Sequence, residues 1–213
     1  MSNPIRIDIV SDVVCPWCAV GYHQLQKALT ETGAEAEIHW HPFELNSDMA
    51  QEGENLRHHL AAKYGSTPSQ SREIRQRITD HGSELGFDFN FSDDMRMQNT
   101  FRAHQLIHWA AKQGRETDMK LALFKAYFTD GLNINDVDVL ASIAKSLGLD
   151  EADALRALEQ EHLGKAVREA QRFWTSQGIS SVPAIIFDQK LLVPGAAGIE
   201  QFKAVLADVQ KDT

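Results

Sequence analysis

Strand-forming sequence is confined to the two ends of this 213-residue chain, and that distribution constrains the fold more than any other feature. Ile5 to Val10 is β-branched and apolar with Arg6 and Asp8 interspersed, which reads as a strand. Pro16 stands where a first helical turn tolerates a residue without an N–H. Val20, Leu25 and Leu29 then recur at helical spacing until Gly33 supplies a stop. Glu37 to Phe43 reads as a second strand, with Ile38, Trp40 and Pro42 alternating against His39, His41 and Phe43. Such a strand–helix–strand opening implies a parallel pair with a right-handed crossover. At the other end, Ala184 to Asp188 and Leu191 to Val193 read as strands about a tight turn at 188–190, followed by a helix from Ile199 to Val209.

The stretch 46–160 has helical periodicity only. Leu56, Leu60 and Tyr64 predict one helix, and Ile74, Ile78 and Leu85 another that stops at Gly86. Met97 to Gln113 predicts a helix with Phe101, Leu106, Ile107, Trp109 and Ala110 on its apolar side. Leu121 to Phe128 and Val137 to Leu147 follow, Asp150 is placed to cap the next helix, and another runs from 162 to Gln177. The expected architecture is one α/β core, residues 1–45 and 162–213, split by an all-helical insertion, residues 46–161.

Both cysteines fall in Cys15-Pro16-Trp17-Cys18, between the first strand and the first helix. Two thiols at that spacing close and reopen a small disulfide, and a helix start favours a thiolate on the first sulfur. The redox reading needs an exposed Cys15 that attacks a disulfide and a Cys18 that resolves the mixed disulfide. The bland alternative is two buried cysteines acting as small hydrophobes. A zinc site would need two further ligands, and no second Cys pair exists.

Charge and hydropathy bound the partners. A formal net charge of −9 disfavours nucleic acid and anionic membrane, which select basic surfaces. No run reaches the roughly 18 apolar residues of a membrane span, and the first residues lack the basic and apolar regions of a secretory signal. The expectation is a cytoplasmic protein, where a close Cys pair is more often catalytic or metal-binding than structural.

Ser181-Val182-Pro183 precedes the hairpin, where a proline inside a sheet is poorly tolerated. Either a cis bond or a trans proline at a strand edge fits. The Val182 backbone facing the Cys pair would accept a substrate segment as an added strand.

Taken together, strand, Cys-Pro-Trp-Cys, helix, strand, helical insertion, Val-Pro and hairpin resemble the DsbA family of the thioredoxin-like fold. The chain is most similar to its FrnE-like branch, related to 2-hydroxychromene-2-carboxylate isomerases and kappa-class glutathione transferases. The runs from Asp8 to Cys18 and from Asn99 to His104 carry the likeness. The resemblance covers essentially the whole chain. It implies that Cys15 attacks, Cys18 resolves and Pro183 is a cis-proline facing them. Two departures stand out: Ala19-Val20 replaces an aromatic–aliphatic pair, and Gly195-Ala196-Ala197-Gly198 lacks a Gln. The isomerase and transferase relatives carry Ser where Cys15 sits, and a hydroxyl orients a glutathione thiol but cannot cycle a disulfide.

The expected activity is therefore that of a thiol–disulfide oxidoreductase or disulfide isomerase acting on protein, peptide or small-molecule disulfides. It calls for no metal and no tightly bound cofactor beyond the redox-active Cys15–Cys18 disulfide. Glutathione is a candidate co-substrate, and the alternative is a glutathione-dependent isomerase or transferase. Pro16 and Trp17 would tune pKa and access; Val182 and Pro183 would present backbone. The resemblance hangs the start of the Asn99–His104 helix over the Cys pair, so Asn99 would cap that helix or touch substrate and His104 would tune the thiolate. Asp12 is expected as a cap for the active-site helix or a proton acceptor for Cys18. His39, His41, His58 and His59 have no evident acidic partner and read as solvated or core residues. The apolar insertion helices leave room for a homodimer surface.

Overall fold

The computed structural model describes residues 4–211. Its frame is a four-stranded sheet built from the two ends of the chain: β1 (Ile5–Ser11), β2 (Ala36–Pro42), β5 (Ala184–Phe187) and β6 (Leu191–Pro194), in the order β2-β1-β5-β6. Strand β1 pairs in parallel with β2 (Ile5↔Ala36 to Ser11↔Pro42) and antiparallel with β5 (Ile7↔Phe187 to Val10↔Ala184). Alternation along β1 divides its side chains between two layers. Ile5, Ile7 and Ile9 enter the main core with Leu25 and Ala28 of α1 (Pro16–Thr32) and Phe202 and Leu206 of α9 (Ile199–Lys211). Val10, Ala184 and Ile186 face the other way, against Ile179 and Trp174, the latter from α8 (Glu161–Ser176).

The β5–β6 turn has Asp188 and Gln189 at φ 47° and 56°, and Lys190 N–H donates to the Phe187 carbonyl at 3.0 Å. Two successive left-handed residues are what a tight hairpin requires. Asp188 tolerates that conformation better than most residues, and its Oδ1 accepts the Arg6 N–H at 3.1 Å.

Between β2 and α8 the chain is almost wholly helical: α2 (Leu56–Tyr64), α3 (Pro68–Leu85), α4 (Phe101–Ala111), α5 (Glu116–Phe124), α6 (Val137–Ser146) and α7 (Glu151–Leu158). Two details depart from the periodicity. The fourth helix starts at Phe101, not Met97. Arg96–Met97 (β4) instead pairs with Glu54–Asn55 (β3) in a two-residue antiparallel ladder, and Asn99 Oδ1 accepts the Phe101 N–H at 3.0 Å. The fifth helix starts five residues earlier than Leu121 and passes into a π-helical turn, Lys125–Thr129, which buries Ala126, Tyr127 and Phe128. Among the described residues, no helix is long and apolar enough to cross a membrane.

Gly82 shows how closely the α3 end packs. A Cβ there would lie 2.4 Å from both the Phe87 carbonyl oxygen and the Phe89 ring. Backbone cannot yield cheaply to such an intrusion. Gly82→Ala is expected to lower unfolding free energy by about 1–3 kcal/mol despite its better helix propensity. Urea denaturation checks this, and an unchanged midpoint would contradict it.

Candidate functional site

The chain leaves β1 at Ser11 and turns through Asp12, Val13 and Val14, so that Cys15 occupies the N-cap of α1 with extended backbone. Pro16 follows at the first helical position. No side chain caps this helix, leaving its first amides and dipole to act on the sulfur. Both thiols are free. Cys15 is only 4% exposed and Cys18 is 0% exposed. The expectation of an exposed Cys15 is corrected: it is recessed in the wall of a groove. Burial pushes the Cys18 thiol well above its ordinary range, and the neighbouring Cys15 sulfur adds to the rise.

The Cys15 thiol donates to the Val182 carbonyl at 3.8 Å, and the Val182–Pro183 peptide is cis. Helix α1 approaches this loop with bare backbone: a Cβ on Gly21 would stand 3.3 Å from Pro183 Cγ and 3.5 Å from Ala196 Cα. Gln24 Oε1 accepts the Gly198 N–H at 3.0 Å, which ties down the following loop. The structure thus brings Cys15, Pro16, Trp17, Val182 and Pro183 together, with Cys18 beneath.

Asp12 does not cap α1. It is fully buried, with Oδ2 accepting the Leu45 N–H at 2.8 Å and Oδ1 lying 3.3 Å from His104 Nε2. The same Nε2 is 3.2 Å from the Phe43 carbonyl, which only accepts, so this nitrogen carries the hydrogen and donates to both oxygens. Burial works to raise the Asp12 carboxyl, but the His104 hydrogen bond, the Leu45 amide and the Lys120 charge together hold it below the usual range. Burial lowers His104, keeping a neutral ring that donates to an ionised Asp12. Asn99 is committed elsewhere. Its Oδ1 accepts the Phe101 N–H and its Nδ2 donates to the Met49 carbonyl at 2.7 Å, so both polar ends of this buried amide are engaged within the protein.

Sequence reasoning missed Lys120. It is 1% exposed, with Nζ over the Trp40 and Phe124 rings at 5.2 and 5.0 Å. Burial lowers its pKa to about 8, opposed by Cys18 first and then by Asp12, Cys15 and Glu116. A signal was present: Lys120 sits on the helical stripe of Leu123 and Phe124, where a charge is out of place. Glu44 was missed too. Its side chain is 0% exposed, Oε1 pairs with Arg168, and burial raises the carboxyl to about 7. No local pattern links residues so far apart.

The histidine reading also needs correction, because acidic partners exist. His41 Nε2 lies 2.8 Å from Asp8 Oδ1, His59 Nδ1 lies 2.5 Å from Glu54, and His39 Nε2 lies 3.3 Å from Glu37. Even so, no group of three or more potential ligands that could hold a metal ion occurs among the described residues.

Cys15 opens into a groove of about 640 Å³ walled by Trp17, Val182, Leu60, Ile78 and Tyr127. Its α2 and α3 walls come from the helical stretch, and the Trp17 ring meets His81 of α3 edge-on at 5.9 Å.

Glu44 gives a pH test with a defined sign. A carboxyl whose folded pKa lies above its unfolded value favours folding at low pH and loses that contribution as pH rises from about 4.5 to 7. Glu44→Gln is therefore expected to gain about 1–2 kcal/mol on the parent between pH 5 and pH 8. Parallel urea curves at the two pH values would show it; a constant difference would contradict it.

The family model described as DSBA-like thioredoxin domain matches residues 6–207. The chain is 28% identical over 208 residues to the uncharacterized protein YwbO of Bacillus subtilis (strain 168), spanning 97% of this chain and 98% of that one. It superposes on the crystal structure of the probable DsbA oxidoreductase SCO1869 from Streptomyces coelicolor with TM-score 0.91 and 27% identity, covering 98% and 91% of the two chains. The cytosolic disulfide reductase DsbM from Pseudomonas aeruginosa, solved with GSH, is similar in fold with TM-score 0.65 and 18% identity, covering 97% and 99%.

Proposed function

The chain belongs to the DSBA-like thioredoxin domain family of oxidoreductases, and from that premise we propose that it exchanges thiols and disulfides through Cys15 and Cys18. One observation carries the reading: two free thiols at the head of α1, the first hydrogen-bonded to the Val182 carbonyl beside Pro183. The Cys15 thiolate attacks a substrate disulfide R–S–S–R′ and expels R′S⁻. The Cys18 thiolate then attacks the Cys15 sulfur, expels RS⁻ and leaves a Cys15–Cys18 disulfide. Run backwards, the same steps oxidise two substrate thiols. Substrates are disulfide- or thiol-bearing proteins, peptides or small molecules, and glutathione is the candidate electron partner, as the GSH bound to the Pseudomonas aeruginosa reductase encourages. A cytosolic setting, named for that same relative, would supply it.

Chemistry sorts the remaining residues. Cys18 is disfavoured as a thiolate by burial, so the resolving step needs help. Lys120 supplies a neighbouring cation and, with its pKa near 8, a carrier for the Cys18 proton. Trp17 and Pro16 control access, while Val182 offers its carbonyl to an extended substrate segment. Residues 1–45 and 162–213 are taken as the thioredoxin-like unit, and 46–161 as an insertion that shapes the groove.

The deciding experiment equilibrates the protein with glutathione buffers and follows Trp fluorescence. A reversible two-electron couple lost in both Cys15→Ser and Cys18→Ser supports exchange, with Cys18→Ser still forming the mixed disulfide. Absence of any disulfide between the two thiols would sink this reading in favour of glutathione-dependent isomerisation or transfer. Lys120→Met raises the Cys18 pKa further. Resolution of the mixed disulfide at pH 7 should slow at least about tenfold, and its pH profile should move upward. Stopped-flow across pH checks this; an unmoved profile would confine Lys120 to a structural role.

A further inference from the structure

We propose that a second cavity, on the far side of the Glu44–Arg168 pair from the groove, binds a phosphate monoester through Arg168, Arg172, Lys165 and Gln105. This site uses neither cysteine and stands apart from thiol–disulfide exchange.

The cavity measures about 480 Å³. Phe101 and Gln105 of α4 line it together with Gly164, Lys165, Arg168 and Arg172 of α8. The three cations stand at i, i+3 and i+7, which is one face of a helix. Long helical side chains lean towards the helix N-terminus, so both guanidinium groups reach back towards Gly164. Gly164 supplies the room. A Cβ there would stand 3.2 Å from Phe101 Cζ and 3.9 Å from Gln105 Nε2, so the Gln105 amide borders the same space. Gln105 is 5% exposed, and its side chain makes no hydrogen bond among the described residues. A buried amide in that condition costs stability unless the cavity supplies a partner. The exposed Arg172 guanidinium makes no ion pair or hydrogen bond among the described residues either. Arg168 stacks on Phe101, with Cζ 4.0 Å from the ring centroid.

Charge selects the ligand. Three cations line this cavity against one acid, the exposed Glu159, in a protein of formal net charge −9. A phosphate monoester carries a charge of about −1.5 to −2 and three acceptor oxygens, enough for both guanidinium groups and the amide. A carboxylate brings one charge and two oxygens. The cavity is larger than a bare phosphate needs, and Phe101 and Leu158 offer apolar surface to the ester group. Arg168 also connects this cavity with the groove, because its partner Glu44 lines the groove onto which Cys15 opens. The phosphate therefore competes with Glu44 for one cation.

The probe is phenyl phosphate, titrated calorimetrically into the reduced protein, with benzoate and benzyl alcohol as comparisons. Phenyl phosphate is expected to saturate one site with Kd below about 1 mM, benzoate to bind more weakly and benzyl alcohol not to bind. Arg172→Gln, at an exposed position, should weaken phenyl phosphate at least about tenfold, and Gln105→Leu should weaken it by less. Glu44→Gln removes the competing carboxylate and should tighten binding severalfold. No saturable binding, or an affinity untouched by Arg172→Gln, would overturn the site. Benzoate binding as tightly as phenyl phosphate would overturn the ligand class, and an unchanged affinity in Glu44→Gln would overturn the sharing of Arg168. Thermal unfolding of each variant identifies loss of fold, and Arg172→Gln carries the test if Gln105→Leu does not fold.

Discussion

The antiparallel pairing of β1 with β5 is the interaction on which the rest of this molecule depends. It joins segments about 180 residues apart, with Ile7 opposite Phe187 and Val10 opposite Ala184. Because Ala184 is fixed against Val10, the loop before it lies beside the turn that follows β1. Val182 thus reaches Cys15, and Pro183 lies against Gly21. A one-residue slip in this ladder would exchange β5's side chains between the two apolar layers, sending Ile185 and Phe187 out of the main core and into the smaller one. The four-residue β5 is buried at every position, so its register is strongly specified.

Burial beneath the cysteines creates the second constraint. Charges that would be unremarked at a surface are confined between α1, α4, α5 and the β1–α1 turn. Asp12 keeps its charge through His104, the Leu45 amide and the Lys120 cation, and the Asp12 charge in turn opposes the desolvation of Lys120. Each group is tolerable because the others are present. Titration of Cys18 is consequently a property of this cluster as well as of the dipeptide between the thiols. The two sulfurs also differ sharply in setting: Cys15 heads an uncapped helix and opens on the groove, while Cys18 lies one turn inside the core.

The helical stretch gives this common sheet its own cavity. Helices α2 and α3 stand over Trp17, and the π-helical turn after α5 drives Tyr127 and Phe128 into the groove wall. Tyr127 is anchored there by its hydroxyl, which donates to the Arg96 carbonyl at 2.9 Å. That carbonyl belongs to the short β3–β4 ladder, so a two-residue strand pair with little stability of its own positions one side of the cavity.

Most of the frame is legible in the sequence because it is written in local, periodic signals. The β-branched run of β1, the apolar repeats and the Gly33 stop of α1, the turn at 188–190 and the Asp150 cap each act over a few residues. So does the adjacency of Cys15 and Cys18 at a strand–helix junction. Helix α4 starts later than the periodicity predicts because Met97 continues an apolar period whose backbone is claimed by Glu54, more than forty residues away. What the tertiary structure alone decided is who faces whom across long separations: Asp12 with His104, Lys120 with Cys18, Glu44 with Arg168. Burial chooses such partners, since a charge withdrawn from water must find its counterpart wherever the packed chain brings one. Sequence periodicity reports which face of an element is buried, but it carries no record of what the other side supplies.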